Sequence, residues 1–102
     1  MNLLTELVLK RIDIRVNRAT GILHPNDESF VKTMFKWLYK QGESLNSDEI
    51  SRWAIEHNWP AKHAKELGDL GENIGNGKRV VIKNPPSFKE NYFEDLLREA
   101  NK

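Results

Sequence analysis

The chain has 102 residues, 38% of them hydrophobic and 30% charged, with a formal net charge of +1 at pH 7 and no cysteine. This is enough for one domain around one core, residues 1–102, and too apolar for a disordered segment. The absent thiols exclude a disulfide scaffold, a thiol nucleophile and any thiolate metal site, and no apolar run reaches membrane-spanning length.

The opening MNLLTELVLKR carries its basic residues after a short apolar stretch and has no small-residue cleavage site. It is therefore not expected to be a signal peptide, and the cytoplasm is the expected location. Asn2 to about Ala19 reads as a helix, because Leu4, Val8 and Ile12 recur at i, i+4 and i+8 with Leu3 and Leu7 beside them. Arg11, Arg15 and Arg18 make a basic ridge on another face. Ile12, Ile14 and Val16 also alternate, so a short strand competes there. Gly21 is a plausible stop, and Asn26 or Asp27 can cap the next helix.

The second helix, Asp27 to about Gln41, is the expected centre of the fold. Val31, Met34, Phe35 and Leu38 form one face, and Phe30, Trp37 and Tyr39 widen it until Thr33 and the row Lys32, Lys36, Lys40 remain polar. A helix apolar around most of its girth needs partners on more than one side. Gly42 should end it in a left-handed conformation. Next, Asn46 as N-cap places Glu49 at N3, with Leu45 and Ile50 at the two positions of a hydrophobic staple. The third helix thus starts near Ser47, with Ile50, Trp53, Ala54 and His57 inward, and ends at Asn58-Trp59-Pro60.

Pro60 suits the first turn of a fourth helix reaching about Asn73, with His63, Leu67, Leu70 and Ile74 on one face. Gly68 and Gly71 within it mark either close helix–helix contact or an early end. Lys78–Lys83, KRVVIK, is the one strand candidate, stopped by Asn84-Pro85-Pro86. Val80 and Ile82 are expected to pack between the central and last helices, leaving Lys78, Arg79 and Lys83 in water. Ser87 and Glu90 match a capping box for a last helix with Phe88, Tyr92, Leu96 and Ala100 on one face. The expected fold is therefore all-α, a bundle of about five helices with one short extended segment near residues 79–83.

No constellation of catalytic residues is readable. His24, His57 and His63 lack metal-ligand spacing, the five serines sit at caps, loops or helix surfaces, and Gly75-Asn76-Gly77-Lys78 lacks the full phosphate-loop pattern. Neither an enzyme nor a cofactor is expected. Charge is uneven: residues 1–42 carry seven basic and four acidic side chains, residues 43–77 three and seven, and residues 78–102 six and four. The plain expectation is that these segments neutralise one another on folding.

Binding is the expected role, most simply to an as yet unknown protein partner. Trp59, at a helix junction, is a candidate anchor if exposed, with Glu66 and Asp69 beside it on the acidic middle. Nucleic acid is the alternative, through the basic ridges: Lys32, Lys36, Lys40, Lys78, Arg79 and Lys83. The sequence of helices around Gly42–Pro60 is compatible with a helix-turn-helix, but its would-be recognition helices are acidic, which opposes entry into a phosphate-lined groove.

Phe35-Lys36-Trp37-Leu38, Gly42, Asp48-Glu49-Ile50, Ala54, Asn58-Trp59-Pro60 and the run Gly77–Pro85 with an aromatic-rich last helix resemble the YoaC-like family of small bacterial proteins. The resemblance covers about residues 30–102 and leaves residues 1–25 outside. It implies an all-α, cytoplasmic protein with no assigned activity, and brings no site residues.

Overall fold

A computed structural model describes all residues, Met1–Lys102. Five helices form: α1 Leu3–Arg15, α2 Pro25–Lys40, α3 Ser47–Glu56, α4 Ala61–Gly75 and α5 Tyr92–Ala100. There is no strand, so the fold is an all-α multihelical bundle. Its radius of gyration, 12.6 Å, is close to the value of about 13 Å for one folded domain of this length.

α2 is the centre. It packs against α1 on one side and α4 on the other, while α3 lies against α4 and α5 against α1. Val31, Met34, Phe35 and Leu38 are fully buried, as the i, i+3, i+4, i+7 spacing demands. Leu9 and Ile12 of α1, Ile50 of α3, Leu67 of α4 and Leu96 of α5 complete the closed core. Gly68 and Gly71 are buried contact points. A Cβ on Gly71 would stand 2.7 Å from Ile50 Cδ1 and 3.3 Å from Phe35 Cζ, so the glycine lets α4 approach both α3 and α2.

The local signals hold in the middle of the chain. Gly42 has φ +81°, and Asn46 Oδ1 accepts the Glu49 N–H at 3.0 Å. Leu45 and Ile50 are both buried, as a staple requires. The reciprocal half of the box is replaced: Glu49 Oε2 lies 3.8 Å from the Met1 amine.

The helix ends differ from expectation in three places. α1 stops at Arg15 rather than near Ala19, because Asn17 captures the chain: its Oδ1 accepts the Ala19 N–H at 2.9 Å and its carbonyl the Gly21 N–H at 2.8 Å. An asparagine offers the backbone this local alternative to helix. Ile12 is fully buried but Ile14 is 80% exposed, so their alternation is no strand. α2 starts at Pro25, not Asp27; His24 is the cap, its Nδ1 accepting the Asn26 N–H at 3.2 Å, and Pro25 takes the first turn, where its missing N–H costs nothing. Finally, the Ser87–Glu90 box does not form. Phe88 packs on Phe30, Tyr92 and Phe93, at ring separations of 5.8, 4.6 and 5.0 Å, and the helix opens only at Tyr92.

Between α4 and α5 the chain crosses α2 without regular structure. A Cβ on Gly77 would lie 3.4 Å from Tyr39 Oη, Lys32 Nζ donates to the Val81 carbonyl at 3.1 Å, and the Ser29 hydroxyl donates to the Lys83 carbonyl. Positions 77, 81 and 83 thus meet 39, 32 and 29, so the segment runs antiparallel to α2. Those helical positions span about 15 Å, within the about 20 Å that six extended residues can reach. Lys78, Arg79 and Lys83 are exposed and Val80 packs on the core, as expected, whereas Ile82 is half-buried without joining the core.

Candidate functional site

Trp59 is 4% exposed, and its Nε1 donates to Asp13 Oδ1 at 2.8 Å. The condition for a surface anchor is not met, because the indole fills the junction between α3 and α4 and is bonded to the end of α1. Glu66 and Asp69 lie on α4 but serve local contacts: Glu66 Oε2 is 3.3 Å from His63 Nδ1, and Asp69 Oδ1 accepts the Ser47 hydroxyl at 2.9 Å. The three residues therefore do not form one exposed surface.

The arginine ridge is committed internally. Arg11 pairs with Glu99 at 3.2 Å. Arg15 lies 4.0 Å from Asp27 and 4.6 Å above the Phe30 ring. Arg18, beyond the helix, grips both Asp13 oxygens at 3.0 and 3.2 Å. These contacts leave the ridge unavailable as a bare cationic stripe.

The second set of cations behaves differently. Lys32 pairs with Glu28 and holds the Val81 carbonyl. Lys36, Lys40, Lys78, Arg79 and Lys83 are exposed and form no ion pair. Lys36 and Lys40 are one turn apart on α2, and the crossing segment carries Lys78, Arg79 and Lys83 along the same helix. Lys32 is the strut that holds this segment to the helix. Val81, 66% exposed, and Tyr39 add apolar surface among the cations.

Few ion pairs join the three charge segments. Only the Met1–Glu49 and Arg11–Glu99 pairs cross between the three charge segments. The other pairs close within a segment, mostly between residues three to five apart.

Three clefts indent the surface. One, about 220 Å³, is lined by Pro25, Glu28, Ser29, Lys32, Val81 and Lys83, beneath the crossing segment. Another, about 200 Å³, is lined by Thr33, Lys36, Trp37, Lys40 and Phe93, where Trp37 and Phe93 stack at 4.8 Å. The third, about 270 Å³, joins Met1 and Glu6 to Glu49, Arg52, Trp53 and Glu56. Sequence spacing gave no sign of this last cleft, since it brings the start of α1 to α3. His57 stacks on Trp53 at 3.8 Å with Nδ1 2.7 Å from the Trp53 carbonyl, and His63 packs on Gly21, so both histidines are packing groups. No three His, Asp or Glu side chains are grouped to hold a metal ion, and no helix is long and apolar enough to cross a membrane.

Ser29 and Val81 escaped the sequence reading. Nothing near Ser29 in the chain points to residue 83, and exposure of a valine in a β-branched run is not a local property.

No curated protein and no solved structure matches the chain. A family model does, and it starts at residue 1, so α1 lies inside the matched region instead of standing apart with residues 1–25. The chain belongs to the family of the domain of unknown function DUF1889, whose model matches residues 1–97.

Proposed function

We propose that the chain is a non-catalytic protein-interaction module whose contact surface is the basic side of α2 and its crossing segment. The observation that carries this is the absence of any carboxylate partner for Lys36, Lys40, Lys78, Arg79 and Lys83, on the helix and segment that also expose Tyr39 and Val81. Unpaired cations around apolar surface favour a partner of opposite charge, speeding encounter and rejecting basic competitors. The anchor differs from the one expected at Trp59, which is buried. The YoaC-like reading, of a small bacterial cytoplasmic protein, belongs to this proposal and rests on the motifs around FKWL and KRVVIKNP.

A second reading, nucleic-acid binding, draws on the Trp37–Phe93 stack beside Lys36 and Lys40, since stacked rings flanked by cations suit single-stranded bases. Entry of α3 or α4 into a duplex groove is disfavoured by Asp48, Glu49, Glu56, Glu66, Asp69 and Glu72 on them.

An amide NMR titration of the labelled full chain tests the readings together. The probes are a glutamate-rich peptide and a mixed-sequence single-stranded oligonucleotide, each at low and physiological salt. Shifts on Lys36, Lys40 and residues 78–83 that survive physiological salt for the peptide alone support the first reading. The same with the oligonucleotide alone moves the conclusion to the second. A flat response to both at low salt, where such attraction is strongest, removes both.

A further inference from the structure

The backbone of the crossing segment holds an unused capacity. From Arg79 through Phe88 no N–H donates to, and no carbonyl accepts from, another backbone group. Yet KRVVIK is rich in β-branched residues, runs antiparallel to α2, and alternates half-buried Val80, exposed Val81 and half-buried Ile82. That is the two-residue period of a strand. The carbonyls of Val81 and Lys83 are taken by Lys32 and Ser29 of α2. In an extended chain successive residues turn their polar groups to opposite edges, so the N–H and C=O of Val80 and Ile82 face the edge away from α2. One edge is fixed to the helix and the other is open.

We infer that residues 79–83 are a receptor edge for an extended acidic peptide, which adds to it as a β-strand. This rests on the protein-interaction reading above and names the partner and its mode. An open edge with unpaired groups is a template for another chain, and main-chain bonds to such an edge supply affinity while flanking side chains supply choice. Here the flanks are Lys78, Arg79 and Lys83, none of them paired with a carboxylate. Carboxylates on the incoming strand would meet them, and an apolar residue would cover Val81. The same charges reject a second copy of this chain. Antiparallel pairing of two KRVVIK segments centred between Val80 and Val81 sets Lys78 opposite Lys83 at both ends, and parallel pairing sets each cation against itself.

The test uses the labelled full chain with two capped peptides of equal charge. One alternates threonine with glutamate, valine and glutamate in turn, so that on one face its valine meets Val81 and its glutamates meet Arg79 and Lys83. The other carries prolines at alternate positions, so that it keeps the charge but cannot donate to a strand ladder. At physiological salt the alternating peptide should slow exchange of the Val80 and Ile82 amides roughly tenfold or more. The proline peptide should bind more weakly and leave those amides unchanged, and Lys78→Glu with Arg79→Glu should abolish both effects. Equal binding of the two peptides, or binding without protection of Val80 and Ile82, overturns strand addition while the protein-interaction reading stands. Binding of neither peptide overturns both. Protection of the same amides by a single-stranded oligonucleotide in place of the peptide overturns both in favour of nucleic acid.

Discussion

Trp59 and Asp13 are 46 residues apart in the chain and joined by one hydrogen bond, indole Nε1 to carboxylate Oδ1 at 2.8 Å. The same carboxylate is held by Arg18. The bond fastens the end of α1 to the α3–α4 junction, a connection that helix packing alone does not make, since α1 packs on α2 and α5. Asp13→Ala leaves the indole N–H buried without an acceptor and should cost about 1–3 kcal/mol. Asp13→Asn keeps an acceptor oxygen for the indole and loses the charge and the second acceptor toward exposed Arg18, so it should cost less than about 1 kcal/mol. Urea unfolding of the two variants, repeated in a Trp59→Phe background where the donor is gone, separates the terms. Equal losses for Ala and Asn would mean that the bond contributes nothing.

That bond marks where sequence reading stops. The Asn46 cap, the Leu45–Ile50 staple and left-handed Gly42 are fixed by residues within one turn of each other, and all stand as read. The lysine row on α2 was equally visible, because helical spacing alone puts it on one face. Trp59 is buried within the core and bonded to Asp13, 46 residues away, and no local pattern reports that. Asn17 shows the opposite case, a purely local side-chain turn that overrides the apolar period of α1 and ends the helix early. The gathering of Lys78, Arg79 and Lys83 beside the α2 row depends on the path of an irregular segment, set by Ser29 and Lys32.

Gly68 should tolerate no side chain, although alanine is the better helix former by about 1 kcal/mol. A Cβ there would overlap Ser51 Oγ and stand 2.5 Å from the backbone carbonyl oxygen of Ser47. The hydroxyl can turn aside; the carbonyl belongs to the first turn of α3 and cannot move without it. Gly68→Ala should therefore destabilise by about 1–3 kcal/mol, as overpacking of a close contact does. Thermal unfolding with Ser51→Ala added should recover only part of the loss. Full recovery would show that the hydroxyl, not the helix spacing, is the obstacle.

Phe35 and Trp37 look equivalent in sequence but occupy different environments. Phe35 is fully buried between α2 and α4 and touches the space kept open by Gly71, whereas Trp37 is half-buried and stacked on Phe93. Phe35→Ala should cost about 3–5 kcal/mol. Trp37→Ala leaves less of a cavity and should cost clearly less. Denaturant midpoints of the two variants decide this, and a larger loss at Trp37 would place the centre of the core on the α5 side of α2.

The crossing segment offers the last case. Ser29 is 4% exposed and its hydroxyl is spent on the Lys83 carbonyl. Ser29→Ala should lower stability by about 0.5–1.5 kcal/mol, a typical net value for one such bond, because the exposed Lys83 can turn its carbonyl to water. Ser29→Asp should do more. It sets an unprotonated carboxylate, which can only accept, against a carbonyl that also only accepts. The segment should then leave α2 while the helices remain folded, since the contacts among α1 to α4 do not pass through residue 83. Amide shifts confined to residues 78–90 and the first turns of α2, with far-ultraviolet circular dichroism unchanged, are the expected result. Global unfolding of Ser29→Asp, or no change around residue 83, would mean that Ser29 serves the core and not the attachment of the segment.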